Sequence, residues 1–234
     1  MKSVLLGLGA LLILVLPAKP VLSEEAGQDV DRPGFRFGGA PEFDAPPVAK
    51  TDAEKKALAA LNEMSQGQWY LNVTTREGRV LRQLTEVAGA KRVVEIGTSS
   101  GYSTIWLALG VRATGGHVFT HEIDPEKVKL ATANLEKAGV ADLVTIIAGD
   151  AHQTIQQHKE PIDLVFLDAE KKGYLDYLNK LLPIIRPGGL ILGHDMHRPM
   201  PDPRYLEAIT SSPDLDTSFI MMESFGISMT VKKH

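Results

Sequence analysis

Two short stretches carry side chains that can do chemistry. An apolar run that ends at Gly193 is followed at once by Asp195, set between His194 and His197. A second run, "IDLVFLD", ends in Asp168, and Lys171 stands one helical turn further on. A carboxylate in such a place is a metal ligand, a catalytic base, or only a polar residue that ends a strand. The lysine adds a group that can move a proton or steady a developing anion. If both carboxylates face one pocket they repel, so a metal or Lys171 must offset their charge.

A third stretch, "EIGTSSGYS", places Gly97 and Gly101 after another apolar run. Glycines there let the backbone turn tightly and approach a ligand. The helix that follows would offer free N–H groups to an anion, with the Ser103 hydroxyl beside them. A plain tight turn fits the same residues. Glu122 ends the next run, about 20 residues after the turn, where an acidic side chain can accept ribose hydroxyls. The two features together suggest a nucleoside. The third glycine of the dinucleotide fingerprint is missing, which argues against a dinucleotide pyrophosphate. "AGDA" sets Asp150 after the next run, either to accept an adenine amino group or to cap the following helix.

These residues all need a frame that brings run ends together. From Thr51 the chain alternates. Thr51 and Glu54 have capping-box spacing before a helix, and a second helix is expected from Glu77 to Val87. Strands are expected over 92–97, 117–123, "LVTIIAG", 162–168 and "GLILG". Helices are expected over 102–109, 124–139, from Ala151, and over 174–182. The 124–139 helix has Asp124 as cap, Pro125 at its first position and Gly139 past its end. Continuous apolar strands that alternate with helices imply a parallel sheet covered on both faces. "TSFIMME" and "GISMTVKK" have no helix between them and imply an antiparallel hairpin at the sheet edge. Ligands of such α/β sheets bind beyond the carboxyl ends of the strands.

The composition sets limits. The chain is 44% hydrophobic and 23% charged, with a net charge of -4, and it has no cysteine. That is a globular protein without disulfides or thiolate chemistry. No basic block stands out, so nucleic acid is not expected as a partner. Residues 1–23 carry Lys2 and then an apolar run from Val4 to Leu16. That run is shorter than the roughly 20 residues of a membrane span and fits a signal peptide cleaved before Glu24, with an uncleaved membrane anchor as the alternative. Export, or retention at the membrane, follows. Residues 24–50 are rich in proline and glycine and form a linker, with Phe35, Phe37 and Phe43 available to dock it on the body.

The ordered set "VVEIGTSSGYST", "HEIDPEKV", "AGDA", "LVFLDAEKKGY" and "RPGGLILGHD" resembles the class I S-adenosyl-L-methionine (SAM)-dependent O-methyltransferases. Within them it is most similar to the family of catechol and caffeoyl-CoA O-methyltransferases. "WYLNVTTREGRVLRQL" matches that family's segment before the sheet, so the resemblance covers residues 65–234. It implies a Rossmann-like α/β fold with a seven-stranded, mostly parallel sheet as a single domain over 51–234. It implies SAM as cofactor. Glu95, Gly97, Ser99, Gly101 and Ser103 would hold its methionine end, with Asn72 and Val73 nearby. Glu122 and Ile123 would lie at the ribose, and Asp150 and Ala151 at the adenine. Asp168 would be a catalytic residue, a cofactor neighbour and the first metal carboxylate, Lys171 the catalytic lysine, and Asp195 the second metal carboxylate. The acceptor would be a hydroxyl of a small, aromatic molecule, and a homodimer is a further expectation.

The chain also departs from that family. Met196 stands where the family has an asparagine as third ligand, and a thioether is a poor ligand for Mg²⁺. The expectation is a divalent site in which His197 substitutes and shifts the preference toward a transition metal. The alternative is a lost metal. Ala169 and Glu170 replace the family's aromatic residues, which argues against a flat catechol pocket. Two rival functions stay open: a non-catalytic nucleoside-binding protein, and a nicotinamide-dependent oxidoreductase, which the glycine spacing disfavours.

Overall fold

Seven strands form one sheet in the order β3-β2-β1-β4-β5-β7-β6. They are β1 (Arg92–Ile96), β2 (His117–Glu122), β3 (Val144–Ala148), β4 (Ile162–Leu167), β5 (Ile185–His194), β6 (Leu215–Ile220) and β7 (Ile227–Lys232). The first five run parallel, and β7 pairs antiparallel with both β5 and β6. The expected sheet and hairpin are both present, with β7 inserted between β5 and its own hairpin partner. The computed structural model describes residues 47–67, 72–197, 199–222 and 225–234. The export segment expected over 1–23 and most of the linker expected over 24–50 lie outside the described residues.

Side chains alternate across the strands, so each strand feeds two layers. Val93, Leu164, Phe166 and Leu192 join one apolar cluster, with Ala57, Leu81, Trp106 and Leu135 from the helices. Those helices are α1 (Asp52–Gln66), α2 (Thr75–Val87), α3 (Tyr102–Thr114) and α4 (Pro125–Ala138). Val94, Ile96, Leu167 and Ile191 join the other cluster, with Ile155, Tyr174, Leu178 and Tyr205. Here the cover comes from the short α5 (Ala151–Thr154), α6 (Tyr174–Leu181) and α7 (Pro203–Ser211).

The helix starts follow from their caps. Asp124 caps α4 through the N–H of Glu126, with Pro125 in the first turn and Gly139 left-handed after its end. Thr51 caps α1, but Glu54 takes the N–H of Lys50 rather than closing a box with Thr51. The reciprocal box belongs to α2. Thr74 accepts from the N–H of Glu77, and the Glu77 carboxylate accepts the N–H of Thr74 at 2.8 Å. This helix therefore begins before Glu77, earlier than expected. The helix α7, not expected from sequence, starts with Asp202 as cap and Pro203 in its first turn.

Strand order reverses at β1, which has β2 on one side and β4 on the other. The loops after β1 and β4 leave in different directions there and open a crevice at their carboxyl ends. Those loops carry Gly97–Gly101 and Asp168–Lys171.

Candidate active site

The glycine turn after β1 is built against Asp168. Gly97 has φ 104, and a Cβ on it would stand 2.5 Å from the Asp168 carbonyl oxygen. Only glycine allows both the conformation and the approach. Gly101 has φ 85 and precedes α3 as its cap. Ser99, at φ 49, gives its N–H to Glu122 Oε2 at 2.7 Å. The other carboxylate oxygen of Glu122 accepts the N–H of Asp124 at 3.0 Å. The end of β2 thus holds both its own loop and the glycine turn.

A cavity of about 300 Å³ opens here, and Gly97, Glu122, Ile123, Asp150, Ala151 and Ala169 are among its walls. The structure therefore gathers the ribose and adenine candidates around one space. Asp150 does cap α5, through the N–H of His152 at 2.9 Å, as its second reading required. His152, Glu170 and Tyr177 also line the cavity, and none was expected there. The His152 ring stacks on Tyr177, with centroids 4.6 Å apart, and its Nε2 is 3.0 Å from Glu170 Oε1.

The remaining residues expected at the methionine end divide into a buried set and a flanking set. Glu95 is fully buried and accepts the hydroxyls of Ser103 at 2.6 Å, Thr104 at 2.5 Å and Thr120 at 2.6 Å. Burial pushes its carboxyl up to about 7 although those hydroxyls oppose the rise. Glu95 and Ser103 bond to each other and brace the turn from beneath. Asn72 Oδ1 accepts the Ser100 hydroxyl at 2.7 Å, which pins the segment before α2 to the turn. Asn72 and Val73 line a separate recess of about 200 Å³ with Tyr102 and Phe225.

The two carboxylates meet. Lys171 Nζ lies 3.2 Å from Asp168 Oδ1 and 2.8 Å from Asp195 Oδ2, with the three side chains 15%, 14% and 20% exposed. Asp195 reaches this point from a left-handed backbone, φ 58, directly after β5. Lys171 also donates to the Tyr174 hydroxyl at 2.8 Å, and that hydroxyl donates to the Leu167 carbonyl at 2.6 Å. Asp168, His194 and Asp195 each bring a possible ligand atom to within 4.8 Å of the others. His197 is not in this group. It is exposed, and its N–H goes to the Phe225 carbonyl.

His194 and Glu77 are the functional candidates that sequence reasoning passed over. His194 is 2% exposed, with Nδ1 3.0 Å from Asp168 Oδ1 and 3.5 Å from Asp195 Oδ1. Its Nε2 faces Glu77 Oε2 at 3.4 Å, a charge contact without hydrogen-bond geometry, and Glu77 is fully buried. Burial alone would lower the imidazole, but Asp168, Glu77 and Asp195 outweigh it and hold the ring up at about 10. Burial would likewise raise Glu77, but His194 and the Thr74 cap bring it down to about 2. One cue lay in strand parity. Leu190, Leu192 and His194 alternate onto the face that α2 covers, so the histidine had to point inward.

Residues 49–196 match the model of the O-methyltransferase family, and the chain belongs to that family. A catechol O-methyltransferase of Niastella koreensis is 33% identical over 161 residues, 67% of this chain and 71% of the relative. An O-methyltransferase from Bacillus cereus, solved in complex with SAH, is 30% identical with a TM-score of 0.66, over 80% of this chain and 93% of that one. The O-methyltransferase TomG from Streptomyces achromogenes, solved in complex with SAM, is 26% identical with a TM-score of 0.66, over 83% of this chain and 95% of that one.

Proposed function

We propose that the chain transfers the methyl group of SAM to a hydroxyl of a small aromatic acceptor. The observation that carries this reading is continuity. The cavity walled by Glu122 and Asp150 reaches Gly97 and Ala169, the residues that touch or follow Asp168. A nucleoside in the cavity would thus point its substituted end toward Lys171. The relatives solved with SAM or SAH support that choice of nucleoside, and the catechol relative supports a hydroxylated aromatic acceptor.

The residues divide the work. Glu122 takes the ribose hydroxyls, since each of its oxygens holds a loop N–H and keeps a lone pair. Asp150 and Ala151 frame the adenine. Bound SAM would supply an electrophilic methyl carbon, at which the acceptor oxygen would attack in line with the breaking C–S bond, the thioether of S-adenosylhomocysteine leaving. Lys171, as an ammonium, meets that oxygen and steadies its negative charge. Asp195 Oδ1, the oxygen that Lys171 does not hold, takes the hydroxyl proton. Fixing oxygen and methyl in line is itself worth several kcal/mol of barrier, up to about 7–11 in well-oriented systems.

The test is calorimetry with SAM, followed by mass detection of methylated product from a panel of catechols and hydroxycinnamates. Binding of SAM with turnover of any panel member supports the reading. Absence of SAM binding would overturn it, and binding without turnover of any hydroxylated acceptor would favour the non-catalytic rival.

A further inference from the structure

We infer that this reaction centre is built to work without a divalent metal, with Lys171 and His194 filling the place of the cation. The inference concerns how the proposed methyl transfer is served, and it rests on that reading only for the chemistry. The occupancy of the centre is a matter of geometry.

Lys171 Nζ donates to Asp168 Oδ1 at 3.2 Å and to the Tyr174 hydroxyl at 2.8 Å, and it makes a charge contact with Asp195 Oδ2 at 2.8 Å. The single proton of the Tyr174 hydroxyl is given to the Leu167 carbonyl. Tyr174 is fully buried, so this anchor does not move aside. The ammonium is therefore held between the two carboxylates rather than draped over them. Asp168 Oδ1 then accepts a second donor, Nδ1 of His194. Asp168 Oδ1 is thus taken twice.

The rest of the donor set does not favour a hard cation either. Met196, directly after Asp195, is 3% exposed and belongs to the apolar cluster beneath the sheet. His197 is exposed, gives its backbone N–H to the Phe225 carbonyl and stands outside the donor group. Mg²⁺ and Mn²⁺ prefer oxygen ligands, and an ion within bonding range of both carboxylates would press against an ammonium already there. His194 is thus a positioning residue. Glu77, itself locked by the cap of α2, stands on the far side of the ring and keeps Nδ1 turned to Asp168.

The experiment uses Mn²⁺ as probe and the full chain. Mn²⁺ is titrated against the protein and free ion is followed by electron paramagnetic resonance. The expected apparent Kd is weaker than about 1 mM, with and without SAM. Methyl transfer, where observed, should be unchanged by EDTA. A tighter Kd, or turnover lost to EDTA and restored by Mg²⁺ or Mn²⁺, would overturn the inference. The double variant His194→Ala/Met196→Asn, which clears one donor and supplies a hard one, should bind Mn²⁺ at least tenfold more tightly. If the folded variant binds no better, His194 is not what excludes the ion. If the variant does not fold, the wild-type titration decides alone. His194→Ala by itself should lower kcat and leave KM for SAM in place, whereas loss of structure would move both. No turnover under any condition would count against methyl transfer, and the Mn²⁺ titration would still decide this point.

Discussion

His121 Nε2 lies 2.9 Å from His158 Nε2; both rings are buried, and His121 is part of the wall of the candidate cofactor cavity. Burial lowers His121 to about 3, helped by its neighbour, and His158 to about 4, helped by Arg92. Both rings are neutral in the fold, while an unfolded chain takes up protons below about 6.5. Their contribution to stability is therefore complete above pH 6.5 and is lost as pH falls toward 4 and 3. The slope is of the order of 1 kcal/mol per ring per pH unit. Glu95, raised to about 7, works in the opposite sense between pH 4.5 and 7. The check is therefore a comparison. Urea midpoints from pH 7 to 5 should fall less steeply for His158→Asn than for wild type, and parallel slopes would dismiss the neutral pair.

Glu122→Ala should weaken SAM binding by roughly 1–3 kcal/mol, because ribose hydroxyls lose a charged acceptor. The same change frees the Ser99 and Asp124 N–H groups, so the glycine turn should loosen as well. Calorimetry reads the first effect and amide hydrogen exchange over 97–101 reads the second. Equal affinity in the two proteins would remove Glu122 from the site.

Lys171→Met should leave SAM affinity nearly unchanged and cut kcat by about 10²–10⁴. The two carboxylates would then face each other with only His194 between them. A variant that turns over at the wild-type rate would assign the anion-steadying role elsewhere.

Gly97→Ala should cost about 1–3 kcal/mol from backbone strain alone. The added Cβ meets the Asp168 carbonyl at 2.5 Å, so Asp168 must also shift. Tm should drop by several degrees, since 1 kcal/mol is roughly 2–4 °C for a domain of this size. An unchanged Tm would show that the turn can rebuild.

We propose that residues 1–23 direct export or hold the chain at a membrane, on the strength of Lys2 and the Val4–Leu16 run. Protein from its native host should begin near Glu24 or fractionate with membranes. A full-length chain in the soluble cytosol would contradict both outcomes.

The parallel strands were legible because burial on both faces leaves them no reason to alternate. The α4 helix was legible because its cap, first-turn proline and terminal glycine lie in one short stretch. The same signals opened α7, but Asp202 and Pro203 sit among Pro199, Pro201 and other loop-like residues and read as a connection. The start of β5 was hidden too, since Arg186, Pro187 and Gly188 look like a turn. At the site, residues after strand ends could be listed in advance. What could not be listed was which of them meet. Glu77 reads as a helix-start residue, and only the packing of α2 over β5 sets it opposite His194. Glu95 reads as a loop-side ligand, and only the placement of Ser103, Thr104 and Thr120 turns it into a buried brace.

The position of β7 between β5 and β6 has a consequence for the order of events as the chain is made. Strand β6 leaves the ribosome first but has no partner until β7 follows. Until then β5 is an open edge, and Asp195 at its end has no wall from the Phe225 side. The parallel half can collapse early, but the centre around Lys171 is finished only when β7 arrives.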